Sequence, residues 1–280
     1  HSEAMDLCLG KLVERKVIRS IGDVDAVGYK AVHGGRITGA RFVDDELMGV
    51  MEDFSSFVPA HNPVYISTMR ALRDKYPKLK QVAYFETSFH ATMPEYRAVY
   101  GVPYQWYRDY GIRRYGFHGS SHSYIAWKLH QLEPAAGRVI SIHLGGSSSL
   151  CAIKDQVSIA ESMGATTQSG LFHNNRVGDL DVFCLPDLIK RYDGDVDEVF
   201  RQLSTNGGFK GISGVSNDLR KVLAARKDGN KRAALAVDAF VDTIVGYVGM
   251  FTSYLGGLDS IVFTGGIGQH SGVILSLIHI

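Results

Sequence analysis

The chain has 280 residues, 45% of them hydrophobic and 21% charged, which is enough apolar material for one large domain or roughly two ordinary ones and excludes a disordered chain. Thirty Lys+Arg against 29 Asp+Glu leave a formal net charge of +1, so a nucleic-acid partner held through bulk positive charge is excluded. Three widely separated cysteines, Cys8, Cys151 and Cys184, exclude a disulfide framework and suit a reducing cytoplasm.

In chain order, residues 5–13 read as a helix and 24–33 as a strand. Asn62 before Pro63 predicts an N-cap and a first-turn proline opening a helix over 63–75. A strand over 81–86 follows and ends on Glu86. Tyr124, Ile125, Trp127 and Leu129 give a helix over 122–131, stopped by Pro134. Strands are expected at 138–144, 149–153 and 157–160, the last two joined in a hairpin through Lys154-Asp155-Gln156. Leu235, Ala239, Ile244, Val248, Phe251 and Leu255 recur at helical spacing over 231–255, closed by Gly256-Gly257. A strand at 260–264 completes an alternation of strands and helices that predicts an α/β protein. No apolar run is expected to reach the ~20 residues of a membrane span, and no charged-then-apolar leader is read at the start, so no membrane partner is expected. Both ends look cut, the second within the apolar run 273–280.

Glycine-bearing turns adjoin strands at Val32-His33-Gly34-Gly35, His143-Leu144-Gly145-Gly146-Ser147-Ser148-Ser149, Gly211-Ile212-Ser213-Gly214-Val215-Ser216 and Thr264-Gly265-Gly266-Ile267-Gly268. Such turns bring backbone N–H groups close to an anion and together favour a phosphate cradle, although any one of them is explained by turn geometry alone. No Walker loop or dinucleotide fingerprint is present. His118 and His122 stand four apart, a zinc spacing if helical, yet Gly119 and the serines at 120 and 121 also fit a loop entering a capped helix with a satisfied His122. Arg176 stands among amides, open either to an ion pair with Asp179 or Asp181 or to a clamp on a transferring phosphoryl group. Glu86, at a strand end, is either solvated or placed where α/β folds carry active sites.

Taken in this order the segments resemble the acetate kinase family, including its propionate kinases. The resemblance runs from Gly28 to about His270 and is carried by Ala31-Val32-His33-Gly34-Gly35, Pro59-Ala60-His61-Asn62-Pro63, Phe85-Glu86-Thr87-Ser88, Arg114-Tyr115-Gly116-Phe117-His118-Gly119, His143-Leu144-Gly145, Arg176-Val177-Gly178-Asp179 and Thr264-Gly265-Gly266-Ile267-Gly268. Arg-Tyr-Gly-Phe-His-Gly is the most specific of these strings. The resemblance implies a two-domain, ribonuclease H-like α/β fold shared with sugar kinases, Hsp70 and actin. On that basis residues 1–88 form a first α/β domain, 89–271 a nucleotide-binding second domain, and 272–280 a return to the first. It also implies a cytoplasmic homodimer that uses ATP/ADP and Mg²⁺ to convert a short-chain carboxylate, acetate or propionate, into an acyl phosphate.

By the family pattern Glu86, His118 and Arg176 are catalytic. Lys30 grips the carboxylate, and Val32, Ala60, Phe117 and Thr167 line the acyl pocket. His143, Leu144, Gly145, Gly146 and Ser147 face the ATP phosphates, while Asp218, Leu219, Arg220, Gly266, Ile267, Gly268, Gln269 and His270 hold the adenosine side. Lys30 stands for the family's arginine, Glu86 for its aspartate, and Gln269-His270 for Glu-Asn. Ala60 and Thr167 replace Leu and Pro and predict a wider acyl site. The family's first phosphate loop and its metal-binding glutamate have no counterpart in these 280 residues, so metal ligands are not assigned and the chain alone is expected to be poorly active. A catalytically silent nucleotide-binding relative, or an inactive fragment, is the alternative.

Overall fold

A computed structural model describes residues 2–278. In chain order the elements are α1 (Ser2–Glu14), β1 (Ala26–Ala31), β2 (Ala40–Phe42), α2 (Asp45–Asp53), α3 (Asn62–Lys75), β3 (Lys80–Phe85), α4 (Glu95–Ala98), α5 (Tyr104–Asp109) and α6 (Gly119–Leu132). Then come β4 (Arg138–Leu144), β5 (Ser148–Lys154), β6 (Val157–Glu161), α7 (Leu185–Arg191), α8 (Val196–Thr205), α9 (Gly208–Ser213), α10 (Leu219–Lys227), α11 (Lys231–Leu255), β7 (Ser260–Thr264), α12 (Gly265–His270) and α13 (Gly272–Ile278). The chain divides into two units, one made of the residues up to Ala91 with Val102–Gly111, the other of Thr92–Gly101 with the residues from Ile112 onward.

In the first unit β1 alternates, with Tyr29 and Ala31 buried and Gly28 and Lys30 outward, as a half-buried strand must. It pairs in parallel with β3, whose other edge takes β2 antiparallel, giving the order β1–β3–β2. Leu47, Met48 and Met51 of α2 and Ile66, Met69 and Leu72 of α3 pack on Tyr29, Ala31, Ala83 and Phe85 to make its core. The strand expected over 24–33 is shorter at both ends. At its far end the chain turns into Gly34, where a Cβ would meet the Phe85 ring at 2.7 Å. Asn62 is not the N-cap of α3. His61 takes that position without a side-chain cap bond, and the buried Asn62 amide instead donates to the carbonyls of His33 (2.9 Å) and Met51 (2.8 Å).

The second unit holds a mixed sheet of order β6–β5–β4–β7, antiparallel except for the parallel β4–β7 pair. The expected hairpin is present, with Asp155 and Gln156 at φ 50° and 69°, the left-handed pair that a two-residue turn requires. Ile140, Ile142 and Leu144 of β4 and Leu150 and Ala152 of β5 face a core filled by Ala236, Val237, Phe240, Ile244, Val248 and Phe251 of α11. That helix has the bounds the sequence predicts, opened by Asn230 accepting from the Ala233 N–H and closed by Gly256 in the left-handed conformation. By length and composition α11 is apolar enough to cross a bilayer, contrary to the expectation that no such run exists. Here its apolar face is spent on the sheet and on α9, α10 and α13.

Candidate active site

Alternation along β4 and β5 decides which side chains leave the core. With Ile140, Ile142 and Leu144 turned inward, Ser141 and His143 fall on the opposite face, and Ser149, paired across the ladder with His143, joins them. Helix α6 covers that face. It begins at His118, the N-cap, held at φ 54°, a left-handed conformation that costs a non-glycine residue roughly 1 kcal/mol. His118 Nδ1 lies 2.8 Å from Ser149 Oγ, and its ring packs on that of His143 at 4.4 Å between centroids. One turn on, His122 is fully buried, with Nδ1 on Ser141 Oγ (2.9 Å) and Nε2 on Ser149 Oγ (2.8 Å). His143 Nδ1 is held in turn by Ser121 Oγ at 2.9 Å.

These bonds settle the zinc question. Both ring nitrogens of His122 are committed to serines, and among the described residues no group of three or more His, Cys, Asp or Glu could hold a metal. His118 is the left-handed N-cap and His122 lies in the first turns of the helix, the loop-into-helix reading, and the spacing places the two imidazoles on one hydroxyl.

Arg176 is brought to the same strand by the loop that precedes α9. Ser148 N–H donates to His173 Nδ1 at 2.8 Å, and the Arg176 guanidinium donates to Ser147 Oγ (3.3 Å) and to the Thr167 carbonyl (3.0 Å). The ion pairs considered for it do not form. Asp179 accepts from Gly170 N–H and the Tyr247 hydroxyl, both at 2.8 Å, and Asp181 from Phe183 N–H at 2.9 Å. Burial lowers the Arg176 pKa from its ordinary value, and burial followed by the Arg176 charge pulls His173 down to about 3, so that imidazole is neutral. His118 and Arg176 therefore rest on serines two residues apart, beside a Gly-Gly turn closed by Gly145 N–H to the Ser147 carbonyl at 3.1 Å.

That turn borders a cleft of about 610 Å³. Gly145, Gly146, Asp218, Leu219, Arg220, Gly266, Ile267 and His270 line it, joined by Asn174, Leu223 and residues 271–273. Leu144 lies in the core behind it, as does Gly268, against Leu144 and Phe263, and Gln269 is exposed outside the lining. Gly265, at φ +78°, is required where β7 passes β4, since a Cβ there would stand 2.4 Å from the Leu144 carbonyl oxygen. Asp218 caps α10 by accepting from Arg220 N–H at 2.9 Å, and the Arg220 guanidinium lowers its carboxyl pKa to about 2.

In the first unit Lys30 Nζ is ion-paired with Glu86, the ammonium side chain two-thirds exposed (67%) and the carboxylate side chain buried (6%). The β1–β3 register puts Ala31 across from Phe85 and so sets the pair. Val32 is buried and Ala60 exposed in the turn before α3. In the second unit Phe117 is buried, and Thr167 contributes the carbonyl that holds Arg176. Sequence reasoning named Ser149 only as the end of the serine-bearing turn and His173 and Asn174 only as part of a polar loop, assigned none of them a contact, and did not single out Ser121 or Ser141. For Ser149 a signal existed, three consecutive serines on a strand that is otherwise apolar; for His173 none did, because its partner lies 25 residues away.

An α/β chain in which a Gly/Ser turn, a guanidinium and an imidazole converge at the rim of a cleft has the layout of a phosphoryl-transfer enzyme. The comparisons agree. The chain belongs to the acetokinase family, whose model matches residues 1–279. It is 39% identical over 278 residues to the acetate kinase of Shouchella clausii, covering 98% of this chain and 70% of that one. It is 41% identical over 275 residues to the propionate kinase of Citrobacter rodentium, covering 97% and 68%. A propionate kinase structure from Francisella tularensis superposes with a TM-score of 0.92 at 32% identity, over 99% of this chain and 72% of that one.

Proposed function

We propose that this chain carries the machinery for ATP-dependent, reversible phosphorylation of a short-chain carboxylate to an acyl phosphate, with acetate or propionate as acceptor. The observation that carries the reading is the placement of His118 and Arg176 on Ser149 and Ser147, at the border of the cleft that Gly145 and Gly146 line. A carboxylate oxygen attacks the γ-phosphorus, the bond to the β,γ-bridging oxygen breaks, and ADP leaves with that electron pair. No general base is needed, because the acceptor is already ionised near pH 7. The obstacle is repulsion between anions, roughly 1 kcal/mol at 4 Å in water and several-fold more in a shielded cleft. Arg176, fixed in advance by Ser147 and the Thr167 carbonyl, and the His118 imidazole are suited to meet the equatorial phosphoryl oxygens.

The nucleotide is read as MgATP, in which Mg²⁺ would offset charge on the phosphate oxygens; no residue of this chain is assigned to the ion. Lys30, held by Glu86 and reaching solvent, is assigned to the acceptor carboxylate, with Glu86 orienting it rather than moving a proton. A cytoplasmic homodimer belongs to the same reading, the three free cysteines agreeing with a reducing compartment.

Trapping acyl phosphate as hydroxamate with acetate, propionate and butyrate tests it. Product is expected with at least one acid, falling by about 10²–10³ in Arg176→Ala. Retained nucleotide binding with no hydroxamate from any acid would instead establish the silent relative.

A further inference from the structure

Asn174 and Gly146 adjoin on the wall of the cleft, and the protein leaves the Asn174 carboxamide unused. Its Oδ1 is buried and accepts no hydrogen bond from a described residue, and its Nδ2 donates to none. Buried amide oxygens are seldom left so. The backbone, by contrast, is fixed on both sides: Asn174 N–H donates to the Gly146 carbonyl at 3.5 Å, and the Asn174 carbonyl accepts from Lys210 N–H at 3.0 Å. A Cβ on Gly146 would stand 3.5 Å from Asn174 Nδ2, so the carboxamide occupies the space beside the turn into which residue 146 sends no side chain. Two residues on, Arg176 rests on Ser147 of the same turn at 3.3 Å, and neither Arg176 nor Ser147 lines the cleft.

We propose that Asn174 is a nucleotide-binding residue: its carboxamide donates to an oxygen of the phosphate that departs with ADP, at the point where the turn, having glycine at 146, offers no side chain of its own. The inference rests on the reading of this cleft as the nucleotide site. A carboxamide has two N–H hydrogens and one acceptor oxygen. With neither end held by the protein, the amide turns to suit its ligand, and an anion takes the NH₂ end. Arg176 and His118 are assigned to the phosphoryl group in transfer. The carboxamide, next along the turn toward the Asp218 and Arg220 side of the cleft, is then the group that meets the phosphate left on the nucleotide. It makes the same contact with ATP, with the transition state and with ADP, and a contact of that kind lowers KM without changing kcat. A ribose hydroxyl or an adenine amino group on the same amide would be a different contact, and adenosine would register its loss.

Equilibrium binding of ADP and of adenosine to the full chain and to Asn174→Ala tests the assignment. ADP is expected to bind about tenfold more weakly to the variant, and adenosine within about twofold of its original affinity. In the hydroxamate assay KM for ATP is expected to rise about tenfold while kcat and KM for the acid stay within about twofold. Gly146 lies outside the left-handed region, so it can carry a side chain; Asn174→Gly combined with Gly146→Asn puts the amide back from the turn and is expected to recover most of the ADP affinity. Unchanged ADP binding in Asn174→Ala overturns the proposal, as does an equal loss for ADP and adenosine. A lowered urea midpoint in that variant also overturns it, because a carboxamide with no bond to the protein cannot be holding the loop. An unsubstituted chain that binds neither ligand overturns the nucleotide reading of the cleft, and the proposal with it. The expected ADP loss in a chain that makes no hydroxamate refutes the kinase reading instead and leaves the Asn174 contact standing.

Discussion

His173 provides a measurement of how tightly the loop before α9 is bound to the β4–β5 turn. Its imidazole is buried, accepts from Ser148 N–H at 2.8 Å, and has its pKa pulled down from 6.5 to about 3 by burial and then by Arg176. Protonation would remove the acceptor and place a second cation beside a guanidinium. Since the folded state holds the pKa below its unfolded value, the unfolded chain binds the extra proton first as pH falls. Stability is then lost progressively from about pH 6.5 down to about pH 3. Between pH 7.5 and 5 the unfolded chain gains about 1.5 pH units' worth of this proton, which is about 2 kcal/mol. His173→Asn replaces Nδ1 by an amide oxygen that can accept the same N–H and cannot titrate. Urea melts at the two pH values should therefore show the unsubstituted chain losing about 2 kcal/mol more than His173→Asn, a midpoint difference of roughly 0.7 M for an m-value of about 3 kcal/mol/M. The other histidines cancel in the comparison. Equal pH slopes would show that His173 is protonated without cost and that the loop does not depend on Ser148.

Two further substitutions test backbone positions. Gly208→Ala puts a Cβ 1.9 Å from the His173 carbonyl oxygen at φ +58°, so stability should drop by at least about 3 kcal/mol in chemical denaturation; a loss under 1 kcal/mol would contradict the close approach. Asn62→Asp turns a donor into a carboxylate against the carbonyls of His33 and Met51, and a loss of about 3 kcal/mol is expected at pH 7, recovering in part as the pH is lowered and the carboxyl protonates; an unchanged melt would refute the inward amide.

What could be read in advance was whatever repeats or terminates locally. Helix α11 and strands β4 and β7 have the bounds that their periodicity and closing glycines dictate, and the 155–156 turn falls where the hairpin demanded. Strand β2, three exposed residues, carries no alternation to detect, and its pairing with β3 supplies what its sequence does not. Asn62 was misjudged because capping propensity is local, whereas two buried carbonyls far along the chain compete for the same amide. The motifs around His118, Arg176 and the 143–147 turn were legible as candidates. The partners of their serines were not, because Ser149 meets His118 only once the ladder register sets it opposite His143, and Ser147 meets Arg176 across 29 residues of chain. The loop entering a helix at His118 with a satisfied His122 was among the readings, yet the hydroxyls that satisfy His122 come from strands β4 and β5 and could not be named in advance.

Strand β4 is flanked by β5 on one edge and β7 on the other. The hairpin bend and the Gly265-Gly266 bend therefore both take their position from a single ribbon of backbone, with Gly265 pressed against the carbonyl of Leu144. Sliding that ribbon by one residue would turn Ser141 and His143 into the greasy interior, expel Ile140 and Ile142 to the α6 side, and misalign both rims of the cleft together. Damage to this strand should thus never appear as a selective defect in nucleotide or in imidazole alone; the two fail as one.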